Sequence, residues 1–95
     1  ENELLSQKNQ WKIDYDIAIQ NYTQQLEIVE SFKNKQLKMA EQLTQAAQNQ
    51  FDNGEINYLD WVMLNNQAIQ IKSDYFDAIM QLNQTIITIQ YLNSK

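Results

Sequence analysis

Phe51-Asp52-Asn53-Gly54-Glu55-Ile56-Asn57-Tyr58-Leu59-Asp60-Trp61-Val62 decides how this chain folds. The stretch holds the only glycine in 95 residues, and the chain has no proline. A domain with several tight turns would need more of both. The sequence therefore reads as long elements joined by one turn. A helix should end near Asp52 or Asn53, with Gly54 in the left-handed conformation that glycine adopts at least cost. Asn57 has the character of an N-cap. Asp60, three residues on, can offer its carboxylate to the free N–H groups of the first turn. Ile56 and Trp61 bracket the cap at the spacing of a hydrophobic staple.

Downstream of the turn, Trp61, Leu64, Ala68, Ile71, Tyr75, Ala78, Leu82, Thr85, Ile89 and Leu92 repeat in alternating steps of three and four. That is a sustained packing seam on a helix. A second row runs beside it through Val62, Ile69, Ile79 and Ile86, with Phe76, Met80 and Ile87 as neighbours. Projected at about 100° per residue, the apolar arc covers roughly half the circumference or more. One antiparallel partner covers only a stripe of such an arc, so a further partner is expected for the rest.

Upstream, Trp11, Tyr15, Ala18, Tyr22, Val29, Phe32, Met39, Leu43 and Ala46 form the matching stripe. Ile19, Leu26, Ala40 and Ala47 widen it, and Gln25 and Gln36 interrupt it. Ile13, Tyr15, Ile17 and Ile19 alternate with their neighbours as a strand would, but the three-four pattern runs through them on both sides. The expected fold is all-α: one long antiparallel two-helix hairpin of coiled-coil type, spanning residues 1–95. Its helices run over about 3–52 and 58–93, with a tip loop at 53–57. Each arm of roughly 40–50 residues measures ~60–75 Å at 1.5 Å per residue. Glu1 opens without a capping signal and Lys95 closely follows an apolar repeat, so both ends read as cut from something longer.

Composition narrows the function. There is no Cys and no His, which removes disulfides, thiol nucleophiles, histidine catalysis and the commonest metal ligands. All seven basic residues are Lys, and twelve acids give a net charge of −5, spread over both halves. An acidic chain without Arg is a poor nucleic-acid ligand and lacks the basic face of a helix lying on anionic lipid. No apolar run approaches the ~20 residues of a spanning helix. Gln and Asn, roughly a quarter of the chain, suit helix faces that meet other helices or line a wet passage, and equally an ordinary polar surface.

No catalytic constellation stands out, and no enzyme activity, cofactor or metal is expected. Asp74 and Asp77 share a helix face and could gather oxygens for a hard cation with Asp60 or Glu55; the plainer reading is a solvated acidic face. Phe51, Tyr58 and Trp61 could stack on a ligand or simply pack at the tip. Tyr15, Tyr22 and Tyr75 lie at seam spacing as core or interface aromatics. Lys33, Lys35 and Lys38 form a small basic patch, read as a surface face balanced by Glu30 and Glu41.

The tip stretch resembles the periplasmic hairpin tip of TolC-like outer-membrane efflux proteins: an aromatic, two residues, Gly, then an apolar-and-acidic opening of the return helix. Leu37, Ala40, Leu43, Ala46 and Ala47 fit that family's descending helix. Asn66, Gln67, Ile71, Tyr75, Ala78, Asn83 and Leu92 fit its return helix, which looks closest to the heavy-metal branch. In some bacteria a similar segment is fused to the inner-membrane pump. The resemblance covers nearly the whole chain and is firmest over residues 37–92. It implies a segment of a larger α-barrel, in which hairpins self-associate side by side into a tunnel across the periplasm. It also implies docking to a periplasmic adaptor and inner-membrane pump through Asn53, Gly54, Glu55, Ile56 and Asn57. Gly54 matches the tip glycine, and Phe51 and Asp60 match residues near the constriction. Glu55 and Ile56 depart from the small or basic residue that often follows the glycine, which puts a gating salt bridge in doubt. The family's β-barrel strands and second repeat are missing. The alternative is a generic coiled-coil or helical-hairpin interaction or oligomerisation module with no role in transport.

Overall fold

The computed structural model describes residues 2–94, with side chains from Leu5 onward; Glu1 and Lys95, with the reading of cut ends attached to them, lie outside the described residues. Among these the chain is helical on both sides of a single turn and contains no strand. The first arm comprises α1 (Asn2–Ser31), a π turn (Phe32–Gln36) and α2 (Leu37–Asp52); the return arm is α3 (Tyr58–Asn93). The strand-like alternation at Ile13–Ile19 lies inside α1, because the helical apolar spacing continues through it. No described helix is long and apolar enough to cross a membrane.

The turn is built by backbone chemistry. Asn53 ends α2, the Glu55 N–H donates to Gln50 O at 2.8 Å, and the Gly54 N–H donates to Phe51 O at 3.1 Å. This paired arrangement satisfies the last carbonyls of a helix and demands a left-handed residue, which Gly54 supplies at φ 74. Asn57 then sits in extended geometry, and its Oδ1 accepts from the Asp60 N–H at 2.8 Å. The Trp61 N–H donates to Asn57 O at 3.0 Å, closing the first turn of α3.

α3 runs back along α2 and then α1, giving a molecule of 76 × 21 × 16 Å. Phe51 meets Trp61 near the tip, with ring centroids 5.4 Å apart. Phe32 meets Tyr75 at mid-length, at 6.0 Å. Trp11 Nε1 donates to Leu92 O at 2.9 Å at the open end. The buried core is Ala18, Val29, Ala40, Ala47, Ala68 and Leu92. Alanine dominates it, so the helices approach closely and the core is thin, as expected of so short a chain.

The first arm corrects the sequence reading of its stripe: Trp11 and Ile19, placed in it by spacing, are exposed at 37% and 38%. Met39 and Ala46 were expected in the seam, yet both are exposed, Met39 at 57%. Their neighbours Ala40 and Ala47 are at 0%. The cause is the π turn, where the Leu37 N–H bonds Phe32 O, five residues back instead of four. One extra residue is taken up there, and the seam beyond it is displaced by one position. It runs through Tyr15, Ala18, Tyr22, Gln25, Val29 and Phe32, then resumes at Leu37, Ala40, Thr44, Ala47 and Phe51. The expected uninterrupted helix over about 3–52 is therefore two α segments joined at this turn.

Candidate functional site

Three surfaces of this hairpin are open to solvent: the tip, the outer faces of the two arms, and the grooves beside the seam.

At the tip, Phe51, Tyr58 and Trp61 form one aromatic cluster, with Phe51–Tyr58 at 6.5 Å and Tyr58–Trp61 at 5.8 Å. Trp61 Nε1 donates to Gln48 Oε1 at 3.3 Å, tying α3 to α2. Phe51 and Trp61 are half-buried, and Tyr58 is exposed. The cluster thus packs the turn and shows one ring to solvent. Asn53, Gly54, Glu55 and Asn57 are exposed, and Ile56 is half-buried. Asp60 is exposed in the first turn of α3, where the helix dipole favours a carboxylate. Leu59 and Met63 beside it are also exposed and went unsingled in the sequence reading. Their signal was available, since both fall outside the three-four rows. Asp52, Glu55 and Asp60 make this end acidic, with no Lys between Lys38 and Lys72.

Along α3, Ala68 and Leu92 are buried, and Trp61, Leu64, Ile71, Tyr75, Ala78, Leu82, Thr85 and Ile89 are half-buried. All ten face the first arm. Two of the polar interruptions have distinct fates. Thr85 Oγ1 donates to Gln25 Oε1 at 2.6 Å across the seam. Gln36 Oε1 is buried at the π turn with no partner.

Away from the seam, Ile69, Phe76, Met80 and Ile87 share one face of α3, within roughly 40° at 100° per residue. All four are exposed, Phe76 at 69% and Met80 at 65%. Ile13, Ile17 and Ile28 make a shorter exposed stripe on α1. α3 carries four charged side chains, Asp60, Lys72, Asp74 and Asp77, and none from Ala78 to Asn93. Two grooves flank the seam, and apolar surface predominates in both. One is lined by Ile19, Tyr22, Ile86, Ile89 and Gln90. The other is lined by Asp14, Asn21, Thr85 and Thr88, with Ile17 and Ala18.

The remaining acidic and basic groups stay dispersed. Asp74 accepts from Gln70 Nε2 at 2.9 Å, and Asp77 is exposed. Among the described residues no group of three or more acidic side chains is placed to hold a metal ion. Lys33, Lys35 and Lys38 form no ion pair with Glu30 or Glu41, contrary to the reading from spacing. Such exposed pairs gain only a few tenths of a kcal/mol, too little to hold two long side chains together. Comparison of the chain with protein-family models, curated proteins and solved structures finds no match.

Proposed function

We propose that this chain is the tunnel-forming hairpin of a TolC-like outer-membrane efflux channel. It packs side by side with further hairpins as a coiled-coil segment of an α-barrel, and meets a periplasmic adaptor at its tip. The observation that carries this reading is the exposed stripe Ile69, Phe76, Met80 and Ile87 on α3, with Ile13, Ile17 and Ile28 on α1. A lone hairpin has no third element to cover them. A helix in a barrel wall has neighbours on both sides, and burying such a side chain contributes roughly 1.5–3 kcal/mol.

Two further features support it. The groove holding Ile19, Ile86 and Ile89 suits another helix. The acidic tip with Tyr58 and Leu59 exposed suits an adaptor hairpin that offers basic and apolar side chains. In a ring of copies, Phe51 and Asp60 are the candidates for the constriction. The hairpin presents a tip and lines an export path for metal ions or small molecules, and no reaction is assigned to it. It works in the periplasmic portion of the cell envelope, as part of a separate channel or a pump fusion.

The test is the solution mass by light scattering over about a hundredfold range of concentration, for the parent chain and for Phe76→Gln with Met80→Gln. Mass rising with concentration in the parent, and a helical monomer in the variant, is the expected result. A parent that stays monomeric throughout contradicts it and leaves a self-contained interaction hairpin.

A further inference from the structure

We infer that the π turn Phe32–Gln36 is a one-residue insertion that the hairpin does not need, and that it makes this point the flexure of the first arm. The inference is independent of what the hairpin assembles with.

Seam steps alternate three and four from Tyr15 to Phe32, and again from Leu37 to Phe51. The single exception is the step of five from Phe32 to Leu37. The same two residues make the hydrogen bond that spans five positions. Remove one residue between them and the alternation becomes continuous, with ordinary α-helical hydrogen bonding throughout. The partner arm does not require the extra residue, because the α3 seam alternates without a break from Trp61 to Leu92.

Nothing local explains the turn either. Its sequence has no Gly or Pro. Lys33, Asn34 and Lys35 are exposed, and their side chains form no hydrogen bond or ion pair. Gln36 Oε1 is desolvated without a donor, which is unfavourable. The turn is therefore held from outside. Packing fixes the two seam halves through Val29 before the turn and Phe32 at its first residue, and through Ala40 and Ala47 after it. Straightening it with the residue in place would rotate the tip half by about 100° and turn Ala40, Ala47 and Phe51 out of the seam. A segment whose middle residues, Lys33 to Lys35, are exposed and unbonded opens before its packed flanks do, and long helices bend where such turns occur.

Deletion of Asn34 tests this, with deletion of the equally exposed Gln20 in α1 as the control. The Asn34 deletion is expected to melt at or above the parent temperature, and the Gln20 deletion well below it. Amide exchange at residues 33–37 of the parent is expected to be faster than in α1 and α2, and to slow to their level once Asn34 is gone. The chain has no cysteine, so single Met39→Cys and Ala40→Cys variants report the phase directly. Met39→Cys should label readily and Ala40→Cys slowly, with and without Asn34. An Asn34 deletion that melts as low as the control, or exchanges the two labelling rates, overturns the insertion. Parent amides at 33–37 that exchange no faster than their flanks overturn the flexure.

Discussion

The two arms are made of similar residues at similar spacing, yet they solve the same packing problem differently. α3 keeps one seam phase over its whole length, from Trp61 to Leu92. The first arm keeps its phase to Phe32, takes up one residue, and resumes at Leu37. The tip half gains by the shift, because Ala40 and Ala47 are smaller than Met39 and let the helices approach closely. Phe51 gains as well, since the shifted phase brings it onto Trp61. Helix packing thus overrides an unbroken hydrogen-bond ladder when the better seam lies one residue away.

The sharpest way to break the comparison is at Ala40. Ala40→Leu should destabilise the hairpin by about 1–3 kcal/mol through overpacking, while Met39→Ala should stay within ~0.5 kcal/mol; thermal or urea unfolding reads both. The reverse order would restore an unshifted seam. The contact where α3 stays regular comes next. Thr85→Val leaves Gln25 Oε1 without its donor and should cost about 1–2 kcal/mol. Adding Gln25→Leu should recover most of that loss in a double-mutant cycle. At the joint between the arms, Gly54→Ala should cost about 1 kcal/mol. No atom crowds the new Cβ, so the loss is that of a left-handed backbone alone. Asn57→Gly should be the smallest change, a few tenths of a kcal/mol, because glycine is itself a tolerated N-cap.

The tip was legible in the sequence because its devices are local. Gly54 and Asn57 act within a few residues of themselves, and each is where its chemistry requires, while Asp60 joins the cap through its backbone N–H and its carboxylate makes no hydrogen bond. The α3 seam was legible because its repeat never slips. The first-arm phase was not. Met39 with Ala46 and Ala40 with Ala47 are rows one residue apart, and both fit helical spacing. Which row faces inward depends on how α2 meets α3, and that is decided across the hairpin. The outer stripe was half legible, since Ile69, Phe76, Met80 and Ile87 already stood beside the seam. The cross-seam bond of Gln25 and Thr85 was not, because spacing marks a polar interruption without naming its partner.

The most direct measurement on the proposed assembly is a cysteine scan of α3 from Ala68 to Leu92, labelled at low and at high protein concentration. Seam positions should be slow to label at both. Ile69, Phe76, Met80 and Ile87 should label fast when dilute and become protected when concentrated, while Gln70 and Gln81 stay reactive. Labelling of the outer stripe that is unchanged by concentration would contradict a helix-packing role for that face.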